Sequence, residues 1–218
     1  MTITVRAQRL LPVARTIAWV PLLAGAALCI AAAILPPLLS HSSAMARWPG
    51  YGALGLCAGA AFLLDDPASN TVAATPTSLA RRRLLRVALA LPLLGAVWAA
   101  SLWYATSAPD TVFGPQTRAG LSVQLAALLA LTLAAAALVL RFMPGEQSGW
   151  IGAAIPFTLL GFALAPPERF PLLAFPGGEE WHTAQQHWIA LLAIGLVAFA
   201  WSVREPSAAI PLVHRRGR

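Results

Sequence analysis

Between Ile17 and Leu39 no residue carries a charge, and uncharged apolar runs recur along the rest of the chain. A helix at the surface of a soluble protein alternates apolar and polar residues so that one stripe faces the core. Here the apolar residues continue without a 3.6 or 2.0 period. Only 11% of the residues are charged, whereas a soluble domain carries about a quarter. The mean hydropathy is +0.70. These features specify an all-α polytopic membrane protein.

A membrane span takes about 20 apolar residues, with a range of about 17–25. Six spans are predicted, at about 17–39, 49–64, 84–106, 121–142, 150–165 and 188–203. The first is interrupted by Pro21 and closed by Pro36-Pro37. The second, fifth and sixth lie near or below the usual minimum. No linker divides the chain, so 1–218 reads as a single transmembrane domain. Arg6, Arg9 and Arg15 precede the first run as they would in a signal peptide. The run from Ile17 exceeds a secretory core of about 7–15 residues, so a retained span is expected.

Arginine gives the orientation. All 15 basic residues are arginine. Twelve fall in the N-terminal segment, the 65–86 loop, the 141–149 loop and the C-terminal segment. Arg47, Arg118 and Arg169 fall on the other side. Arginine is retained on the cytoplasmic side of membranes, so both termini and the 65–86 loop are expected inside. The same distribution accounts for the net charge of +7 without nucleic acid.

The eight acidic residues, Asp65, Asp66, Asp110, Glu146, Glu168, Glu179, Glu180 and Glu205, all lie in predicted loops or at span ends. Intramembrane carboxylates mark proton and ion paths, and their absence from the spans argues against a proton-driven transporter or ion pump. An amphipathic or lipid-like substrate needs none. With no lysine in the chain, there is no P-loop, and any ATP-driven work belongs to another subunit.

Catalytic and metal motifs are equally sparse. His182 and His187 are five apart, which is not the i, i+4 spacing of a helical metal pair. Glu179-Glu180 beside His182 resembles the paired glutamates of intramembrane CAAX-type proteases, but lacks the following arginine and the helical histidines of that family. No Gly-x-Ser-x-Gly elbow is present. Cys29 and Cys57 sit singly in apolar runs, where cysteine behaves as a small hydrophobe. Gly55 and Gly59 form a G-x-x-x-G that allows close helix approach, a pattern suited to packing within the chain more than to dimerisation. No catalytic residue, metal site or cofactor is expected in this chain.

The most polar stretch is Leu64-Asp65-Asp66-Pro67-Ala68-Ser69-Asn70-Thr71, continuing through Thr75-Pro76-Thr77 to Arg81-Arg82-Arg83 and Arg86. Asp66-Pro67 is a helix-start signal, and Asp65 adds negative charge at that helix's positive end. Pro76 limits the helix to about two turns. A short cytoplasmic helix between spans two and three is therefore predicted. A surface turn whose arginines sit on anionic lipid is the plainer alternative. On the other side, 166–187 holds Phe170, Phe175, Glu179, Glu180 and Trp181. It reads as an interfacial aromatic belt or as a partly re-entrant hairpin.

The Leu64–Ala68 stretch, Thr75-Pro76-Thr77, the arginine run and the tail from His187-Trp188 to Trp201-Ser202-Val203-Arg204-Glu205-Pro206 resemble a group of small six-span permeases from high-GC bacteria. These are membrane subunits of ATP-binding cassette transporters, loosely of the ABC-2 exporter type. The resemblance implies a bacterial inner-membrane exporter half that pairs with itself or a second permease. ATP and Mg would be held by cytoplasmic nucleotide-binding ATPase subunits. It implies that Asp65, Asp66, Pro67, Ala68, Ser69, Asn70, Thr71, Arg81, Arg82 and Arg83 form the coupling surface. It also implies that Phe170, Phe175, Glu179, Glu180 and Trp181 belong to an outer gate or re-entrant loop. Thr2–Ala14 is too short, and broken by Pro12, for the long amphipathic helix that precedes the first span in that type. A non-catalytic membrane scaffold is the alternative, and a lipid-modifying membrane enzyme a third.

Overall fold

The computed structural model describes residues 14–39, 48–65, 79–107, 114–143, 148–164, 172, 174 and 178–204. All regular structure among them is helical: α1 (Trp19–Leu39), α2 (Trp48–Ala60), α3 (Leu79–Thr106), α4 (Pro115–Phe142), α5 (Gly149–Leu164) and α6 (Trp181–Val203). A 3₁₀ turn, Ala61–Leu64, continues α2. Three helices, Ala80–Thr106, Pro115–Phe142 and Trp181–Val203, are long and apolar enough to cross a membrane, and three shorter helices are also apolar. Their outward faces carry large apolar side chains, including Val20, Leu28, Trp103, Phe162 and Val197. Apolar patches of that extent are unusual on soluble monomers and match a protein whose solvent is lipid.

The prolines fit the helices locally. Pro115 opens α4, where its missing N–H has no partner to lose. Pro21 sits in the first turn of α1 for the same reason, so the first helix is not interrupted there. Three helices begin earlier than the apolar runs. α3 starts at Leu79 rather than 84, α4 at Pro115 rather than 121, and α6 at Trp181 rather than 188. Arginine and glutamine are good helix formers, so polar residues extend these helices past the hydrocarbon-matched window. α6 becomes a 23-residue helix, about 35 Å long at 1.5 Å per residue. That exceeds the bilayer's apolar thickness of about 30 Å.

Glycine sets the close contacts. α1 and α2 run antiparallel: Pro21 meets Gly59, Gly25 meets both Gly55 and Gly59, and Cys29 meets Gly52. A Cβ on Gly25 would lie 2.5 Å from the Gly55 carbonyl oxygen, and one on Gly59 would lie 2.5 Å from that of Pro21. Both obstacles are backbone and cannot swing away. The glycine pair is thus used inside the chain, where lipid-solvated helices need small residues to associate. α4 and α6 run parallel, with Gly120 under Trp181 and Gln185, and Gly195 against Ala130 and Leu131. α5 runs antiparallel to α4 through Gly152, which faces Thr132 and Ala136. α4 lies at the centre, with Ala127, Ala134, Ala136 and Ala137 buried. α3 and α4 lack extensive backbone packing against each other. Long side chains bridge them instead.

Candidate functional site

These pairings gather Thr16, Asp65, Arg86, Arg141, Ser148 and Arg204 at one end of the bundle. A small buried cluster of Leu64, Val87, Leu133, Ala136, Ala137 and Val203 underlies that end. The knot begins with the 3₁₀ turn. Ala61, Leu63 and Leu64 are buried, and they hold the chain tightly up to Asp65, which is extended at φ −65°, ψ 126°. The Asp65 carboxylate turns inward onto the start of α5. Its Oδ1 accepts from Ser148 N at 2.9 Å and Ser148 Oγ at 2.6 Å. Gly149 N donates to Oδ1 at 3.1 Å and to Oδ2 at 3.2 Å. The first amides of a helix have no partner within it, and its N-terminus carries partial positive charge. Asp65 supplies both the acceptor and the negative charge from another helix.

Gly149 is required for this approach. A Cβ there would run into the Phe62 ring, which also packs edge-to-face on Trp150 with centroids 5.4 Å apart. Arg86 closes the other side. It is 2% exposed, its Nε donates to Thr16 Oγ1 at 3.1 Å, and its Nη1 donates to the Asp65 carbonyl oxygen at 3.1 Å. Asp65 and Arg86 therefore tie together the approach to α1, the end of α2, the second turn of α3 and the start of α5. Beside them, Arg141 donates to the carbonyl oxygens of Trp201 at 2.7 Å and Arg204 at 2.9 Å. Its guanidinium lies 4.2 Å from the centroid of the Trp201 ring. It places positive charge on the carbonyl end of α6, where the dipole favours it.

Asp65 is therefore an inward-facing strut at the base of the loop. Asp66, Pro67, Ala68, Ser69, Asn70 and Thr71, and with them the predicted short helix, lie outside the described residues. Arg81, Arg82 and Arg83 occupy the first turns of α3, with Arg81 exposed and the other two half-buried. Ser148-Gly149 before an apolar run is a helix-start signal readable in the sequence. Its pairing with Asp65 spans 83 positions and has no local signature.

At the opposite end, indoles make the polar contacts. Trp188 Nε1 donates to the Leu172 carbonyl oxygen at 2.9 Å, and Trp98 Nε1 donates to Ser122 Oγ at 3.2 Å. Ser122 Oγ in turn donates to the Arg118 carbonyl oxygen at 2.9 Å. Glu179 and Glu180 are exposed, and Trp181 is buried against Gly120. Phe170 and Phe175 lie outside the described residues. Leu172 is buried beside Trp188, seven positions into α6, or about 10 Å along its axis. Residues 181–187, expected in a loop, are helical, so His182 and His187 stand on the first two turns of α6. Among the described residues no group of three His, Cys, Asp or Glu could hold a metal.

No family model, curated protein or solved structure matches this chain.

Proposed function

We propose that this chain is the membrane half of an ATP-binding cassette exporter in a bacterial inner membrane. All six helices cross the bilayer, and both termini and the 66–78 loop are cytoplasmic. The observation that carries this reading is the knot at the base of that loop. A coupling element has to pass displacement to several helices at once. Asp65 and Arg86 connect its base to α1, α2, α3 and α5 through charge-assisted hydrogen bonds, the stronger class of such bonds. The twelve-to-three arginine distribution supports the same side as cytoplasmic.

In this mechanism the nucleotide-binding ATPase subunits hold ATP and Mg and close on them. They press on Asp66–Thr71 and on the exposed Arg81, with Arg82 and Arg83 beside it. The knot turns that push into a joint movement of α1, α3 and α5 against a second permease half. An amphipathic substrate then leaves at the Trp181 end, past Phe170, Phe175, Glu179 and Glu180. In this reading the covalent chemistry belongs to the ATPase subunits. A scaffold function is the second reading. It is favoured by the backbone-tight seam of Gly25, Gly55 and Gly59, which leaves no passage between α1 and α2.

The test is affinity purification of the tagged chain from native membranes in mild detergent, followed by mass spectrometry. Wild type is compared with Asp66→Arg/Asn70→Arg, which spares the Asp65 strut. Recovery of an ATPase with wild type, and its loss with the variant, is the expected result. Absence of any ATPase from both samples discards the exporter, and the proteins that do co-purify then define the scaffold.

A further inference from the structure

Arg118 differs from the other half-buried or buried arginines whose contacts have been described. Arg86 and Arg141 give their N–H groups to oxygens of the protein. The guanidinium of Arg118 lies 5.8 Å from the centroid of the Trp103 ring, and its Nε is buried with no acceptor. Among the described residues no acceptor is found for its terminal nitrogens, and the residue is half-buried. The result is a half-buried guanidinium within cation–π range of an exposed indole. Its surroundings are those of a membrane interface. Trp103 is 69% exposed and Tyr104 is also exposed, and such aromatic residues gather at headgroup level. α3 and α4 are bridged here by Trp98–Ser122 and by Arg118 on Trp103 without extensive backbone packing. Deeper in the bundle, Leu94, Trp98 and Leu102 of α3 share a buried apolar cluster with Leu121, Leu125 and Leu128 of α4, so Arg118 and Trp103 stand at the outer rim of this contact. Arginine is also scarce on this side, at three of 15, so Arg118 is placed against the insertion bias.

We propose that Arg118 and Trp103 form a site for the phosphodiester of a phospholipid headgroup, with the acyl chains on the lipid-facing surface below them, in the leaflet opposite the Asp65 knot. The planar fork of arginine matches two phosphate oxygens, and an indole beside it sits at the level of the headgroups and upper chains. The site rests on the membrane reading of the fold and not on the exporter assignment.

The test uses a phosphatidylglycerol carrying a photoreactive headgroup, added to the full chain in nonionic detergent, with adducts mapped by peptide mass spectrometry. Labelling is expected on the peptides spanning 98–122. It should fall about tenfold in Arg118→Gln and less in Arg118→Lys, which keeps the charge but not the fork. Unlabelled phosphatidylglycerol should compete. Diacylglycerol with the same chains and inorganic phosphate at millimolar concentration should not. Equal labelling of wild type and Arg118→Gln overturns the site. Competition by diacylglycerol reduces it to an apolar contact, and competition by inorganic phosphate makes the ligand a free anion; either outcome overturns the proposal. Trp103→Leu, which leaves Arg118 in place, provides an independent loss of labelling should Arg118→Gln not insert.

Discussion

The two ends of the bundle satisfy their polar groups in opposite ways. At the Asp65 end, full charges meet helix termini: a carboxylate takes the first amides of α5, and Arg141 takes the last carbonyls of α6. At the Trp181 end, neutral indoles reach single oxygens, and the one arginine with a described contact there, Arg118, meets a ring instead of an oxygen. Charged hydrogen bonds contribute about 1.5–3 kcal/mol each and neutral ones about 0.5–1.5. The charged end is therefore the stiffer one, and the indole end is the one that can open at small cost. The proposed exporter mechanism would use that asymmetry, with a rigid attachment where force enters and a compliant rim where cargo leaves.

The largest expected effect comes from removing the strut. Asp65→Ala strands Ser148 N, Ser148 Oγ and Gly149 N together, and buried donors without acceptors are costly. A loss of about 3 kcal/mol is expected, read as a lower melting temperature in detergent and faster hydrogen exchange over 148–152. If exchange there is unchanged, the charged end is not the stiff one and the comparison fails. Arg86→Met comes next, at about 2 kcal/mol, because it keeps a buried stem but unties Thr16 and the Asp65 carbonyl. Its exchange signature should appear at 14–18 as well as at 65. Asp65→Asn keeps the Oδ1 acceptor and loses the charge, so about 1 kcal/mol is expected. A loss as large as that of Asp65→Ala would show that charge at the α5 terminus, not hydrogen bonding, holds the knot.

The helical fold was legible because apolar runs locate membrane-length helices whatever their tertiary partners. Helix ends were less legible. Arg81–Arg83, Arg118 and Gln185 are polar and also helical, and hydropathy reports only polarity. The sequence reading gives Asp65 as negative charge at the start of a helix opened by Asp66-Pro67, a segment outside the described residues. Asp66-Pro67 offered a local helix to cap, whereas the carboxylate caps α5, 83 positions downstream. Local patterns rank local partners, and a helix terminus brought alongside by packing leaves no trace in them. Arg118 counts for topology only in the sequence, since its approach to Trp103 exists only once α3 and α4 are folded together.

The smallest effects test the compliant end. Trp188→Phe keeps the buried ring and deletes the donor to Leu172. About 1 kcal/mol is expected, with faster exchange confined to 172–174 and no change at 148–152. Trp98→Phe removes the donor to Ser122. Polar contacts between membrane helices average about 0.6 kcal/mol, and Ser122 retains its bond to the Arg118 carbonyl. The melting temperature should therefore move little. The informative readout is the α3–α4 separation, measured between spin labels at Ala105 and Gln116. It should broaden in Trp98→Phe while a pair at Arg81 and Arg204 stays narrow. If both pairs broaden together, the bundle moves as one body, and the two ends differ in chemistry but not in stiffness.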